Sequence, residues 1–260
     1  MTIRVLIPTA QAHPLLQRSL ALLAEFQPLV VDDSPAKLGP RGLGIGGLRS
    51  TGNVGFARAV NLGLEQLEGE GAKWVLVLND DALPDPQCLP TLLEHAANQA
   101  SISMLGPLLV GPAGVESAGL TFHTRSARLT QNKDVPDGPV DVDALSGACV
   151  LMRAHLRFDP AFSHAMEDVE LSLRVQAEGG RCVLIPGARC WHEGGGTLAR
   201  DSALAQQHAL SGHLRLHDGQ PLRQGLATAY AVGQVIREGG SAERFGGILS
   251  ALLPRTLTER

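Results

Sequence analysis

Aromatic side chains make up only 3% of this 260-residue sequence, and no motif of the kind that stacks RNA bases occurs among them. Basic charge is also scarce: 22 Lys and Arg against 26 Asp and Glu leave a net charge of -4, so nucleic acid is excluded as a partner. Small anions are not excluded, because a few local donors or a metal can bind them whatever the net charge. Cysteine is sparse, and Cys88, Cys149, Cys182 and Cys190 form no C-x-x-C pair. That excludes a zinc knuckle or redox motif and predicts reduced, mostly buried thiols. No apolar run approaches the ~20 residues of a membrane span, and Met1 to Pro8 lacks the basic and apolar regions of a signal peptide. The expected address is the cytoplasm, with peripheral contact at the inner face of the membrane left open.

What is present is an ordinary globular balance, 44% hydrophobic and 18% charged, in a length that suits one α/β domain with an extension. Short apolar runs alternate with amphipathic stretches, the pattern of parallel strands connected by helices. Strands are predicted at Ile3 to Ile7, Leu29 to Val31, Trp74 to Leu78, Ala148 to Met152 and Arg181 to Ile185. Helices are predicted from about Leu15 to Leu23, Asn53 to Leu67 with a cap near Asn53, Gln87 to Ala97, and Asp168 to Glu178. Between Ile102 and Asp143 four prolines interrupt the pattern, which reads as loops and small antiparallel strands. From about Leu198 two or three helical segments follow, broken near Asp218 to Pro221 and at Gly239 and Gly240.

Ligands of open parallel sheets collect outside the carboxyl ends of the strands, and three acidic pairs map to such places: Asp32 with Asp33, Asp80 with Asp81, and Glu167 with Asp168. A carboxylate after a strand can hold a divalent metal whose other positions are filled by phosphate oxygens and water. On residues alone, Asn79, Asp80 and Asp81 equally suit a turn that caps the next helix. Glu167, Asp168 and Glu170 equally suit a helix dipole. Gly42-x-Gly44-x-Gly46 starts too far from its strand to be a dinucleotide loop and reads as a mobile loop.

Taken together, Val30-Val31-Asp32-Asp33-Ser34, the run Asn53 to Gly63, Val75 to Asp81, Ser146-Gly147-Ala148, Phe158-Asp159, Glu167 to Leu171 with Arg174 and Gly179, and finally His192 resemble the family 2 glycosyltransferases. The rhamnosyltransferase-like branch is the most similar, and the match spans roughly residues 3 to 197. The resemblance implies an α/β GT-A fold: an αβα sandwich with a mainly parallel nucleotide-binding sheet and a C-terminal helical extension. The implied boundaries are 1-197 for the catalytic domain, divided into a nucleotide-binding half at 1-105 and an acceptor-binding half at 106-197, and 198-260 for the extension.

It also implies inverting transfer of a sugar from a UDP- or dTDP-linked donor to a glycan, lipid-linked or other hydroxyl acceptor, as in cell-surface polysaccharide synthesis. The implied cofactor is Mg2+ or Mn2+. By position, Asp81 and His192 would hold the metal, and Asp168 would be the base, with Glu167 beside it orienting the acceptor. Thr9 and Asp32 or Asp33 would contact the base of the nucleotide, and Asn53, Gly55, Arg58 and Asn61 would line its pocket with Asn79, Asp80 and Gly147. A carboxylate ending a strand can accept the imide hydrogen of uracil or thymine, which suits Asp32 and Asp33. Gly194 to Gly196 reads as a loop that closes over the donor or is merely flexible.

The other eight histidines, His208 and His213 among them, are expected to be surface or packing residues. Phe162-Ser163-His164-Ala165-Met166 departs from the aromatic residue common before the Glu-Asp pair. The C-terminal helices are left as a homodimer interface, an acceptor cover or, through Leu249, Leu252 and Leu253, a membrane-surface contact. A nucleotidyltransferase would need a glycine-rich, lysine-containing loop after the first strand, and Pro8 to Pro14 has none. A non-catalytic scaffold that kept the fold is the other alternative.

Overall fold

The computed structural model describes residues 2–39, 42–123, 126–162, 165–194, 202–237, 239 and 241–252. The nucleating pattern is visible in two strands, β1 (Ile3–Thr9) and β4 (Trp74–Leu78), which pair in parallel. Every residue of β4 is buried, as expected where helices cover both faces of a sheet. The twofold alternation of a strand sorts its side chains between those faces. Trp74, Leu76 and Leu78 join Val5 and Ile7 in one core layer, while Val75 and Val77 join Leu6 in the other.

Helices α1 (Leu15–Leu22) and α3 (Cys88–Asn98) cover the first layer through Leu16, Leu89 and Leu92. Helices α2 (Phe56–Gly69) and α4 (Glu167–Ala177) cover the second through Val60, Leu64, Leu67, Leu171 and Val175. The result is the expected αβα sandwich. Strands β2 (Leu29–Asp32) and β3 (Leu48–Arg49) extend the parallel side, so the order β4-β1-β2-β3 is wholly parallel. All four cysteines are buried and free.

The other side of the sheet is mixed. After the short β5 (Ala82–Pro84), β6 (Ile102–Gly111) lies between β11 (Cys149–Arg153) and β12 (Arg181–His192), antiparallel to the first and parallel to the second. This corrects the expectation for residues 102 to 111: they form a ten-residue strand of the main sheet, although Gly106 and Pro107 sit in the middle. Proline is tolerated in a sheet where no ladder bond is asked of it. Pairing with β11 stops at Leu105, pairing with β7 (Gly114–Ser117) begins at Leu109, and β12 bulges between Ile185 and Arg189 opposite Pro107. The strand predicted at Arg181 to Ile185 therefore continues beyond its bulge and ends on His192.

A separate hairpin of β8 (Leu120–His123) and β9 (Arg128–Gln131) matches the small antiparallel strands expected there, and β10 (Val140–Asp141) edges the sheet beside β12. Helices α5 (Ala203–Leu216), α6 (Pro221–Arg237) and α7 (Ala242–Leu252) pack together through Leu210, Val235 and Ile248. Gly195, Gly196 and Leu253 lie outside the described residues.

Candidate active site

Strand order determines what meets at one edge of the sheet. The carboxyl ends of parallel β1, β2 and β4 point the same way; β11 runs opposite, so its entry, Ser146 to Ala148, arrives at that edge too. These ends surround a cavity of about 480 Å³ into which Thr9, Asp33, Asn53, Asn79, Asp80, Asp81, Gly147, Glu167, Asp168 and His192 all project. Its volume is that of an ordinary small-molecule site. Asp32, Gly55, Arg58 and Asn61 are not among its lining residues.

Asp81 does not cap a helix, since β5 intervenes and α3 starts at Cys88. Instead, β5 pairs antiparallel with β12 in the register Ala82 to His192, which carries the imidazole of His192 to Asp81, with Nε2 3.3 Å from Oδ1. Its other nitrogen, Nδ1, lies 2.8 Å from the Glu116 carboxylate. Asp81 Oδ1 is buried and receives no hydrogen bond of good geometry, so it is a carboxylate oxygen with capacity for a cation. Burial pushes the Asp81 carboxyl up, but the His192 imidazole more than offsets this and holds it below the usual range. Burial opposes protonation of His192, yet the carboxylates of Asp81 and Glu116 lift it to about 9. Among the described residues no group of three or more His, Cys, Asp or Glu is arranged to hold a metal by itself. Asp81 and, once the ion displaces its Nε2 proton, His192 offer two ligands, enough where a diphosphate and water supply the rest.

Asp80 turns the other way. It accepts from the Thr9 hydroxyl and, at 3.4 Å, from the His13 N–H, while Thr9 Oγ1 accepts from Ala12 N–H at 2.9 Å. Thus Thr9 and Asp80 tie the β1–α1 turn to the end of β4. Burial pushes the Asp80 carboxyl up against the effect of these bonds, and Asp81 adds to the rise.

The two acids after β2 divide their work. Asp33 accepts from Val54 N–H at 2.9 Å and Gly55 N–H at 3.1 Å, so a strand-end carboxylate holds the segment leading into α2, whose N-cap is Gly55 rather than Asn53. Asn53 and Gly55 adopt φ of 52° and 91°, the left-handed region that makes glycine the easy choice at 55. Asp32 accepts from Ser34 N–H and Leu43 N–H and pairs with Arg49 at 3.0 Å. Burial raises its pKa, but those hydrogen bonds and the guanidinium bring it below the usual value. Its bond to Leu43 reaches into the glycine-rich segment. Asn61 spends both amide atoms on the backbone of Phe158, at 2.8 and 2.9 Å, and Arg58 is exposed.

At the start of α4, Asp168 accepts from Gly147 N–H at 2.9 Å and Val169 N–H at 2.8 Å, joining the approach to β11 to α4. Glu167 Oε2 is buried without a hydrogen-bond partner. Burial, then the adjacent Asp168, push the Glu167 carboxyl up to about 8, and burial also raises that of Asp168. Glu170 pairs with Arg174 at 2.8 Å and simply supports the helix.

The shift at Glu167 has a measurable consequence. The unfolded chain ionises this group near 4.5 while the folded protein keeps its proton to about 8, so its contribution is fully present below the unfolded value and lost as pH rises through the folded one. Glu167→Gln is therefore expected to raise Tm at pH 8, where the buried carboxyl otherwise opposes folding, with little change at pH 4.5. Equal melting at both pH values would refute the assignment.

Two contributors escaped the sequence. Helix α5 supplies Ala205, Gln206, His208 and Ala209 to the cavity wall, so His208, expected at the surface or in packing, borders the site. Gly212 of the same helix approaches the chain just before Glu167, since a Cβ there would meet the Ala165 carbonyl at 2.5 Å. Glu116, the partner of His192, lies in the stretch whose proline content hid its strands; only the Gly111 to Gly114 turn signalled a hairpin.

The αβα fold is shared with solved glycosyltransferases. A structure of GalNAc-T7 with UDP, GalNAc and Mn2+ is similar at a TM-score of 0.61 and 15% identity, covering 83% of this chain and 47% of that one. Mannosyltransferase PcManGT from Pyrobaculum calidifontis, in complex with GDP-Man and Mn2+, is similar at 0.55 and 16%, covering 99% and 82%. In sequence, N-acetylglucosaminyl-diphospho-decaprenol L-rhamnosyltransferase of Mycobacterium tuberculosis is 29% identical over 190 residues, 60% of this chain. The chain spans 62% of the length of that curated relative. The profile of Glycosyl transferase family 2 matches residues 5–157, a span from β1 past the end of β11 that takes in Asp33, Asp81 and Gly147, and the chain belongs to that family.

Proposed function

We propose that this protein is an inverting, metal-dependent glycosyltransferase that moves a sugar from a UDP- or dTDP-linked donor to a hydroxyl of a lipid-linked or other glycan acceptor. The observation that carries the proposal is the convergence of Asp81 with His192 and of Glu167 with Asp168 on one cavity. A lipid-linked acceptor is favoured by the relative whose name includes diphospho-decaprenol, and a divalent cation by the neighbours solved with Mn2+. Among the described residues no helix is long and apolar enough to cross a membrane.

The residues divide the reaction between two walls. Asp81 and His192 would hold Mg2+ or Mn2+, which when bound neutralises charge on the leaving diphosphate. Asp33, Asn53 and Thr9 stand where the nucleotide enters, at the ends of β2 and β1. Asp168 removes the proton of the acceptor hydroxyl as its oxygen attacks the anomeric carbon from the face opposite the diphosphate, with inversion. Glu167, protonated at neutral pH, donates a hydrogen bond to the acceptor. Helix α5 closes the acceptor side and limits access of water that would hydrolyse the donor.

A thermal-shift screen of UDP- and dTDP-sugars tests this directly, because stabilisation follows ligand affinity. At 100 times Kd a donor should add about 2.7 kcal/mol, and only with Mn2+ or Mg2+ present. Equal stabilisation after chelation would end the metal-dependent reading; no stabilisation by any nucleotide sugar would end the donor assignment.

A further inference from the structure

Glu116 reaches His192 from a strand that is not its neighbour. β6 separates β7 from β12, so the two side chains must meet across it. Two features of the sequence make that contact. The pairing of β6 with β7 runs Val110 to Val115 and then Leu109 to Ser117, which leaves Glu116 as the extra residue of a β-bulge, a device that re-aims a side chain. Beneath its path lies Gly111, the last residue of β6: a Cβ there would stand 2.9 Å from the His192 carbonyl oxygen and 3.7 Å from the Glu116 carboxylate. The bulge directs the carboxylate toward β12, and the glycine lets the end of β12 approach β6 closely at the His192 carbonyl.

We propose that Glu116 is the positioning residue for His192: it accepts the Nδ1 proton at 2.8 Å and so presents Nε2 toward Asp81 and the ion that the pair holds. An imidazole can ligate through either nitrogen, and the hydrogen bond made by one decides which is left for the metal. The effect on metal binding rests on the proposed function; the orientation of the ring does not.

Two measurements separate these. In protein labelled with 15N-histidine, His192 should show a slowly exchanging, downfield Nδ1 proton, assigned by its loss in His192→Gln. Glu116→Ala should abolish it, and Glu116→Gln, which keeps an oxygen acceptor without the charge, should move it upfield. Mn2+ titration followed by electron paramagnetic resonance, in UDP and in dTDP, should then show binding weakened about 10- to 100-fold in Glu116→Ala. A wild-type protein that lacks the downfield proton, or one whose proton is unchanged in both variants, overturns the positioning role. Full Mn2+ affinity in Glu116→Ala overturns its consequence for the ion while leaving metal dependence intact. If the wild type binds no Mn2+ but loses the proton in Glu116→Ala, the metal assignment fails and the positioning role stands. If Glu116→Ala does not fold, the upfield shift in Glu116→Gln decides.

Discussion

Asp168→Asn is expected to lower kcat by roughly 10²- to 10⁴-fold, the range of a lost general base, while donor and metal still stabilise the protein against heat as in the wild type. The separation follows from position. Asp168 is held on α4, whereas the Asp81–His192 pair, which we propose faces the diphosphate, is set by the β5–β12 register. Its oxygens accept from Gly147 and Val169 N–H, so the asparagine amide must turn an N–H toward one donor, at a cost of about 1 kcal/mol that melting will show. The base works only when ionised, and burial raises its pKa, so wild-type kcat should fall on the acid side at a pH above the ordinary aspartate value. That limb should vanish in the residual activity of the variant. Turnover near that of the wild type would remove Asp168 from the reaction.

Asp81→Ala should lower kcat/KM by about 10²- to 10³-fold, comparable with the loss of one electrostatic group facing developing charge, and should erase the difference between donor binding with and without Mn2+. The fold should survive, because His192 retains Glu116 at 2.8 Å as its partner. Titration of UDP or dTDP by calorimetry, with Mn2+ and after chelation, reads the result. A variant that still binds the nucleotide better with Mn2+ would show that Asp81 is not a ligand. The two variants should fail differently, one in turnover and the other in metal-assisted binding.

Much of this site was legible because its determinants are local. Apolar runs ending in Asp32-Asp33 and Asn79-Asp80-Asp81 announce buried strands and where they stop, and Glu167-Asp168 opens a helix whose hydrophobic positions are plain. Other assignments were lost because their partners are remote in sequence. Asn61 meets Phe158 97 residues away, and nothing near Asn61 distinguishes an amide that ties two segments from one that lines a pocket. Strand β6 was hidden by Gly106 and Pro107, whose breaking effect is cancelled only where neighbouring strands leave a gap in their pairing. His208 carries no local signal, because α5 acquires its place in the wall by packing beside Ala165 and Met166.

Asp81 illustrates the division most sharply. By itself the sequence determined that a carboxylate follows a buried strand, because hydrophobic periodicity fixes strands through short-range rules of alternation. Whether that carboxylate caps a helix or faces a ligand was decided only by the tertiary structure. The β5–β12 register brings His192 to it, a bulge brings Glu116 to His192, and its buried Oδ1 has no hydrogen bond of good geometry. Those are contacts between strands distant in the chain, and sheet pairing, not local pattern, places them.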